Sequence, residues 1–365
     1  MRVLHVIARM NVGGTATYLA NLISGLEKSG VTDLLAMGHV PIGEAEDSIV
    51  ETLPIRRVAH LSREISLGSD RAALDELREI VRQFKPDLIH SHTFKAGALM
   101  RLGSTSVPIV HSFHGHHLYD PEFGALKRFV LNLIERRLAK KTDVIITIGS
   151  RVRDELLEVG IGKSEQYESI APGIAPLEKR DAVKVRQRVG IDEKKIVVMW
   201  LGRFTQVKRP DHVVEMAKRF PNAIFVMAGG GELLDVNRNG APSNLKFVGF
   251  EDKNDMWAIA DIGLCTSDSE GMPLSLIEAQ MAGVPVVSTD VGSVSEIVDD
   301  GKTGFLASRE TSDLVAKIAP LIESSELRSR MGMAAKKRAE ELFSADVMVK
   351  AHLRVYQEVL GKVSR

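Results

Sequence analysis

The segment 266–287, which reads TSDSEGMPLSLIEAQMAGVPVV, constrains the fold of this chain more than any other stretch. Its pattern predicts a loop, a helix and a buried strand in immediate succession. Proline is tolerated at the first helical position, so we expect the helix to begin near Pro273 and to end at Gly283. Amides at a helix start point outward with the positive end of the helix dipole. We therefore expect an anion such as a phosphate to bind there.

Two carboxylates flank this predicted anion site, because Glu270 precedes the helix start and Glu278 lies inside the helix. A fully helical interval would set them ~12 Å apart. A retaining glycosidase needs ~5–5.5 Å between its carboxylates, so a hydrolase pair is disfavoured. Carboxylates accept from hydroxyls, so the pair suits a ligand with phosphates in the middle and a sugar at each end. The alternative is two solvated side chains, but Glu278 lies in an apolar helix, which favours burial.

Length and composition limit the class of protein. The chain of 365 residues fits two domains of roughly 150–200 residues. Its 48 basic and 48 acidic residues balance, so no nucleic acid is expected as a partner. The single cysteine, Cys265, excludes an internal disulfide framework and is expected to be buried. No signal peptide or membrane span is visible, so we expect an intracellular, cytoplasmic protein.

Runs typical of buried strands alternate with helical patterns through both halves of the chain. The apolar runs include 2–8, 87–90, 143–148, 196–201, 223–228 and 246–249. This alternation predicts the α/β class, with two doubly wound, Rossmann-like domains facing each other across a cleft. Proline and glycine near residues 172–176 place the boundary there, which gives domains of residues 1–172 and 173–344.

Two further loops are predicted to bind phosphate. The pair Gly13 and Gly14 separates a strand from a helix and lets the backbone approach an anion. It lacks the G-x-G-x-x-G spacing, and no acidic residue closes the second strand, which disfavours NAD. In the second half, Arg203 and Lys208 flank a loop before a helix start near Pro210. Two cations there can bind a diphosphate. The alternatives are a purely structural turn at the glycine pair and solvated side chains at Arg203 and Lys208.

Six of the eleven histidines fall between His90 and His117. The pattern H-x-H occurs twice, at His90/His92 and at His114/His116, so a zinc hydrolase is one alternative. Metal sites usually take further ligands from later in the chain, and the two histidines that follow lie in charged helical patterns. We therefore expect no metal, and polar loop histidines beside a cleft instead.

Residues 123–141 read as an amphipathic helix with six basic residues and one acid, Glu135. Such a helix can lie on anionic lipid, which predicts peripheral contact with the inner face of a membrane. The alternative is a solvated helix face.

The segment 266–287 resembles the EX7E signature of the retaining, GT-B type nucleotide-sugar glycosyltransferases, family GT4. That signature usually reads S-x-x-E-G-x-P-x-x-x-x-E-A-x-A-x-G-x-P-V-V, and the matching residues are Ser267, Glu270, Gly271, Pro273, Glu278, Ala279, Gly283, Pro285, Val286 and Val287. In that family the residue matching Glu270 contacts the donor sugar, and the one matching Glu278 binds the ribose hydroxyls. The backbone of Met272, Pro273 and Leu274 would meet the sugar and the diphosphate.

Other segments extend this resemblance over essentially the whole chain. The string G-R-x-x-x-x-K-R-P-D resembles the donor-diphosphate loop of the family, which implies that role for Arg203 and Lys208. The glycine loop at Gly13 and Gly14 would face the donor phosphates and the acceptor. The final helix, about residues 345–365, resembles the segment that packs back on the N-terminal domain.

A histidine and an aromatic residue complete the implied site. The string S-F-H-G resembles the T-x-H-G motif of the family, whose histidine, here His114, contacts the transferred sugar. Phe250 and its neighbours would hold the nucleotide base.

The resemblance implies a retaining transferase that moves a sugar from a nucleotide diphosphate donor, such as a UDP- or GDP-sugar, to a hydroxyl acceptor. The product would be a polysaccharide, a glycolipid or a small glycoside. Glu270 and His114 would act at the reacting sugar, with no cofactor and no metal. The alternatives that stay open are a nucleotide-sugar epimerase on the same scaffold, the zinc hydrolase, and a non-catalytic sugar-nucleotide sensor.

Overall fold

The computed structural model describes residues 1–41, 44–62, 64–103, 106–115 and 124–363. The chain forms two compact units. Unit 1 contains residues 1–173 and 345–365, and unit 2 contains residues 174–344. Each unit is built around one parallel β-sheet, so the predicted α/β class is confirmed.

The strands of unit 1 are β1 (Arg2–Ile7), β2 (Thr32–Met37), β3 (Ile55–Arg57), β4 (Leu88–His92), β5 (Ile109–Phe113), β6 (Val144–Thr147) and β7 (Tyr167–Ser169). They form one seven-stranded sheet in the order β3-β2-β1-β4-β5-β6-β7. The strands of unit 2 are β8 (Val197–Leu201), β9 (Ile224–Ala228), β10 (Leu245–Gly249), β11 (Ile262–Cys265), β12 (Val286–Thr289) and β13 (Gly304–Ala307). They form a six-stranded sheet in the order β10-β9-β8-β11-β12-β13. Helices cover both faces of such sheets, which explains why strands such as β4, β5, β11 and β12 are buried along their whole length.

Fourteen α-helices lie in the described residues: α1 (Gly14–Lys28), α2 (Leu67–Phe84), α3 (Phe94–Leu102), α4 (Ala125–Ala139), α5 (Ser150–Glu158), α6 (Ala182–Val189), α7 (Pro210–Arg219), α8 (Leu234–Arg238), α9 (Lys253–Ile259), α10 (Leu274–Met281), α11 (Val294–Ile297), α12 (Thr311–Glu323), α13 (Ser325–Leu342) and α14 (Ala345–Val363). None of them is long and apolar enough to cross a bilayer.

The last helix, α14, belongs to unit 1 and packs against α1. Tyr356 and Met348 on α14 join the same buried apolar cluster as Leu19 on α1. The two helices approach closely at Gly25, where a Cβ atom would lie 2.3 Å from Val349 Cγ2. This packing holds the end of the chain on the N-terminal sheet.

Strand order reverses once in each sheet, and the reversal determines where ligands can bind. In unit 1 the chain moves outward from β1 through β2 and β3, then returns to the other side of β1 with β4. In unit 2 the corresponding pair is β8 and β11. Ligands of open α/β sheets bind beyond the carboxyl ends of the strands at such switch points. The predicted phosphate loops follow β1, β8 and β11, at these ends.

Candidate active site

The segment that the sequence analysis started from folds as expected. Helix α10 begins at Leu274, with Pro273 as its N-cap residue, and strand β12 follows at Val286–Thr289. Gly283 has φ +78°, the left-handed conformation that favours glycine after a helix. Met272 and Pro273 are buried residues before the helix, and Leu274 is half-buried. The first amides of α10 have no partner within the helix and are available to an anion.

The carboxylate of Glu270 is held by three neighbours. Its Oε1 accepts hydrogen bonds from Lys208 Nζ and from Ser267 Oγ, both at 2.5 Å. The Cys265 thiol lies 3.8 Å from the same oxygen. Only 9% of the Glu270 side chain is exposed, against 26% of Lys208. The sequence analysis placed Glu270 and Lys208 at different parts of one ligand, and the structure joins them directly.

The Glu270 carboxylate affects the pKa of two neighbouring groups, the Lys208 ammonium and the Cys265 thiol. Burial lowers the pKa of Lys208, but the Glu270 carboxylate outweighs burial, so the pKa lies above its usual value. Burial and the same carboxylate raise the pKa of the Cys265 thiol. Cys265 is therefore a neutral, buried thiol, as predicted. Lys208 keeps its charge at the site.

The loop that carries Glu270 is packed against Gly292. A Cβ atom at Gly292 would lie 1.8 Å from the Glu270 carbonyl oxygen, and Gly292 has φ +54°. The Ser293 amide donates to the Gly271 carbonyl at 2.8 Å. A larger residue at 292 would push the Glu270 loop away. The sequence analysis did not identify Gly292, which lies after β12 and outside the signature segment.

Glu278 is buried, as its apolar helix suggested, with 6% exposure. Its Oε1 accepts from Lys253 Nζ at 2.7 Å, and Trp257 Nε1 lies 3.4 Å from Oε2. Neither Lys253 nor Trp257 was predicted, because both lie on α9, outside any motif. Among the residues that the structure describes, Oε2 has only this long contact, so it can accept from a further hydroxyl.

The loop after β8 lies against the glycine-rich loop after β9. A Cβ atom at Gly229 would lie 2.0 Å from the Gly202 carbonyl oxygen, so only glycine fits. Arg203 is exposed at this place, and Lys208 follows in the same loop. Phe250, just after β10, is 73% exposed, and a Cβ atom at Gly230 would lie 2.7 Å from its ring. An exposed aromatic ring beside the phosphate loop presents a face on which a base can stack.

In unit 1 the predicted glycine loop forms the start of α1. Gly13 is the N-cap residue with φ +154°, and α1 begins at Gly14. No side chain caps this helix start. Its first amides are therefore available to an anion or to solvent. The neighbouring strand at the switch point is β4, which ends at His92. Thr93, the next residue, has φ +64°, a value that a β-branched residue rarely adopts.

Most of the described histidines of unit 1 are buried together rather than placed in a polar loop. His5, His90, His92, His111 and His352 are all 0% exposed, and only His114 among the sequence-predicted residues is partly exposed. The expectation of loop histidines was wrong for His90 and His92, which lie on β4 and face the core. His116 lies outside the described residues.

The two later histidines lie on helices, as predicted. His352 on α14 is buried, and its Nε2 lies 2.8 Å from the Tyr18 hydroxyl. His212 on α7 is buried as well, and its Nδ1 lies 2.8 Å from Thr311 Oγ1. Charged neighbours in the sequence therefore do not exclude a buried histidine.

Burial keeps these rings neutral. It lowers the pKa of His114 to about 3, with a further contribution from His352. It lowers the pKa of His352 to about 4. Burial and the neighbouring histidines likewise lower the pKa of His90 and His92 well below the usual value. His114 therefore acts as a neutral imidazole at pH 7, with one N–H donor and one acceptor nitrogen.

Three of these rings, His5, His90 and His92, lie close enough to suggest metal binding, with ring nitrogens within 4.8 Å of one another. Their nitrogens are already engaged. His90 contacts Tyr356 at 2.6 Å and Ser112 at 2.7 Å, while His5 and His92 contact each other at 3.2 Å. A metal here would have to displace these hydrogen bonds. The cluster is thus accounted for by polar contacts among its own members.

Comparison with known proteins places the chain in a family. The profile of the family "Glycosyl transferases group 1" matches residues 181–338, and that of "Glycosyl transferase 4-like domain" matches residues 13–173. N-acetyl-alpha-D-glucosaminyl L-malate synthase of Bacillus anthracis is 23% identical over 312 residues, which cover 80% of each chain. UDP-Gal:alpha-D-GlcNAc-diphosphoundecaprenol alpha-1,3-galactosyltransferase of Escherichia coli is 27% identical over 311 residues, which cover 78% of each.

A solved structure agrees with these matches at the level of the fold. The crystal structure of Anabaena HepE in complex with UDP-glucose is similar with a TM-score of 0.83 and 20% identity, over 98% of this chain and 100% of that one. The two matched family profiles together span most of the sequence. The chain therefore belongs to the group 1 glycosyl transferases, and it is a GT4-type glycosyltransferase with the GT-B fold.

Proposed function

We propose that this glycosyltransferase moves a sugar from a UDP-sugar to a hydroxyl acceptor with retention of the anomeric configuration. The observation that carries this proposal is the contact between Lys208 and Glu270 at the switch point of unit 2. This contact joins a cation, which would bind the diphosphate, to a carboxylate, which would contact the sugar. The names of two similar proteins support uracil as the base of the donor. The structure of Anabaena HepE is a complex with UDP-glucose, and the galactosyltransferase of Escherichia coli is named for UDP-Gal.

The chemistry follows from where charge develops. When the glycosidic bond breaks, the leaving diphosphate gains negative charge and the sugar gains positive charge. Arg203, Lys208 and the first amides of α10 would stabilise the diphosphate without a metal or a cofactor. Glu270 would orient the sugar and offset its positive charge. Because Lys208 contacts Glu270 before the donor binds, we expect its ammonium to be shared between that carboxylate and the phosphates.

The two ends of the donor would be bound by different groups. Glu278 would accept hydrogen bonds from the ribose hydroxyls through Oε2, while Lys253 holds Oε1. Phe250 would stack on the base. His114 would contact a hydroxyl of the transferred sugar, and the start of α1 at Gly13 and Gly14 would face the phosphates and the acceptor.

Product analysis with radiolabelled UDP-glucose, UDP-galactose and UDP-N-acetylglucosamine tests this proposal. We expect the label to appear in a glycoside, with an α-linkage from these α-configured donors by NMR, in buffer that contains EDTA. A β-linkage would contradict retention. Conversion to an epimer without transfer, loss of activity in EDTA, or binding without turnover would favour the epimerase, the metal enzyme or the sensor, respectively. The family assignment gives the epimerase no support.

We also propose that α4 binds an anionic membrane surface from the cytoplasmic side. Leu126, Phe129, Val130 and Leu133 lie at helical spacing, and each is between 38% and 77% exposed. The sequence analysis identified only the basic residues of this helix, which include Arg136 and Arg137. An exposed apolar stripe flanked by basic residues is typical of helices that lie in the bilayer interface.

Flotation with vesicles tests this membrane contact. Wild-type protein is expected to float with vesicles that contain phosphatidylglycerol and not with pure phosphatidylcholine. Phe129→Ser is expected to lower the bound fraction about tenfold, because one buried aromatic side chain contributes about 1.5–3 kcal/mol. Val236→Ser in unit 2 is the matched control, since Val236 is 69% exposed and Phe129 is 64% exposed. Equal flotation of the two variants would contradict the assignment of α4.

A further inference from the structure

Four side chains form a continuous line of hydrogen bonds across the sheet of unit 1. Asp33 Oδ1 lies 3.0 Å from His5 Nε2, and His5 Nδ1 lies 3.2 Å from His92 Nε2. His92 Nδ1 then lies 3.1 Å from His114 Nε2. Asp33, His5 and His92 are buried, and the line ends at the partly exposed His114. We call these four residues the histidine line.

The strand order explains how residues distant in sequence form this line. Its members come from β2, β1 and β4 and from the first residue after β5, in the order in which these strands lie in the sheet. In each pair of neighbouring strands, one residue lies directly opposite a member of the line. The next member of the line lies two positions further along the neighbouring strand than that residue. Positions two apart share a face of a sheet. The line therefore runs diagonally over one face toward the carboxyl edge, where ligands bind.

The acidic end of the line determines its direction. A carboxylate accepts hydrogen bonds and cannot donate, so His5 must carry its proton on Nε2. Neutral imidazole has a single N–H, so His5 Nδ1 accepts from His92 Nε2, and His92 Nδ1 accepts from His114 Nε2. His114 Nδ1 is then left as an acceptor. Burial lowers the pKa of His92 and His114, which keeps both rings neutral as this scheme requires.

A second set of contacts fixes the plane of the His114 ring. Tyr18 meets His114 edge to face, with ring centroids 4.6 Å apart and an interplanar angle of 78°. His352 Nδ1 donates to the Met348 carbonyl at 2.8 Å, so its Nε2 accepts from the Tyr18 hydroxyl at 2.8 Å. Helix α14 thereby holds Tyr18 in place. Orientation and tautomer of His114 are set by separate neighbours.

We propose that Asp33, His5 and His92 are positioning residues that hold His114 as the tautomer with a proton on Nε2 and an acceptor at Nδ1. The next step rests on the proposed function, in which His114 contacts the transferred sugar. Nδ1 of this tautomer then accepts a hydrogen bond from one hydroxyl of that sugar. The site would then select sugars that carry a hydroxyl at that position, because a deoxy or fluoro analogue donates no hydrogen bond there. The roles of Asp33 and His5 extend the site three strands away from His114.

NMR of the full chain with ¹⁵N-labelled histidine tests the tautomer without any substrate. Two-bond ¹H–¹⁵N correlations at pH 7.5 are expected to show His114 with protonated Nε2 and unprotonated Nδ1. His5→Phe cuts the line and is expected to give His114 as a mixture of both tautomers. His90→Gln is the matched control, because His90 is equally buried in the same cluster but outside the line. A protonated Nδ1 in the wild type, or an unchanged single tautomer in His5→Phe, would overturn the proposal.

Kinetics then test whether the tautomer matters to the reaction. Asp33→Asn keeps the shape of the side chain, but its amide can present either a donor or an acceptor to His5 Nε2, so the tautomer of His5 is no longer fixed. We expect kcat to fall about 10- to 100-fold, the range typical for partners that orient a functional histidine, with donor KM within a few-fold. His90→Gln is expected to leave both parameters nearly unchanged. If Asp33→Asn transfers sugar at the wild-type rate, the positioning role is wrong, even where the NMR result agrees. The NMR result does not depend on substrate, so it stands even where the proposed function is wrong. Failure of the positioning role and failure of the proposed function are therefore distinguishable.

Discussion

Glu270→Gln is expected to lower kcat about 100- to 1,000-fold, the range seen when one preorganised electrostatic group is removed. Glutamine has the same shape, and its side-chain oxygen can still accept from Ser267 Oγ and Lys208 Nζ. The loop geometry, which also depends on Gly292, is therefore expected to persist. The variant loses the negative charge that would offset the positive charge of the reacting sugar.

The same substitution is expected to leave nucleotide binding intact or make it slightly tighter. The Glu270 carboxylate competes with the donor phosphates for Lys208, because it lies 2.5 Å from the ammonium. Removal of that charge leaves Lys208 more available to the diphosphate. Calorimetry with UDP is thus expected to give a Kd equal to or below that of the wild type, while steady-state assays show the loss of kcat.

A matched substitution separates this effect from a general change of charge. Glu323→Gln removes one carboxylate from the exposed end of α12 in the same unit and is expected to leave kcat unchanged. If Glu270→Gln turned over like Glu323→Gln, the carboxylate would have no part in the chemistry. If it failed to bind UDP, Glu270 would act in nucleotide binding instead.

The fold could be predicted from the sequence because its signals are local. Most strands contain an apolar run, and helices such as α10 carry their own start and stop residues. Helix α10 begins one residue after the predicted Pro273, and α1 follows the glycine pair, where a helix was predicted. Burial of Glu278 and Cys265 also followed from their immediate apolar neighbours. Such features depend on a few adjacent residues, which a sequence displays directly.

The contacts that connect distant residues could not be predicted in this way. Lys208 and Glu270 were both identified, but each was assigned to a ligand, and only the structure shows that they contact each other. His5 lies in the apolar run RVLHVIA and reads as an ordinary core residue. Its partners Asp33 and His92 are near it because β2, β1 and β4 are adjacent in the sheet. Strand order is a property of the whole domain, so the histidine line has no local signal.

Unit 1 is expected to lose about 5 kcal/mol of unfolding free energy between pH 7 and pH 5.5. The fully buried histidines of this unit include His90, His92, His111 and His352, and these four carry the prediction. Burial lowers the pKa of each, with further contributions from neighbouring charges. In the unfolded chain these rings bind protons near pH 6.5, whereas in the folded chain they stay neutral.

The sign follows from this difference in bound protons. Below pH 6.5 the unfolded state binds more protons than the folded state, so acid favours unfolding and stability rises with pH. The stabilisation is present above the unfolded pKa and is lost as pH falls from 6.5 toward the folded value, about 4 for His352. Each ring contributes about 1.2 kcal/mol over the stated interval, and four together approach the whole stability of a typical domain.

The two units can be followed separately in one experiment. Both tryptophans, Trp200 and Trp257, lie in unit 2, so their fluorescence during urea unfolding reports that unit alone. Hydrogen exchange of peptides from β1, β4 and β5, corrected for the intrinsic effect of pH, reports unit 1. We expect unit 1 to unfold at much lower urea at pH 5.5 than at pH 7, with a smaller change in unit 2. Substitution of the exposed His39 by glutamine should leave this pH dependence unchanged. Equal stability of unit 1 at both pH values would mean that the buried rings bind protons as readily in the folded chain as in the unfolded chain, which would contradict this prediction.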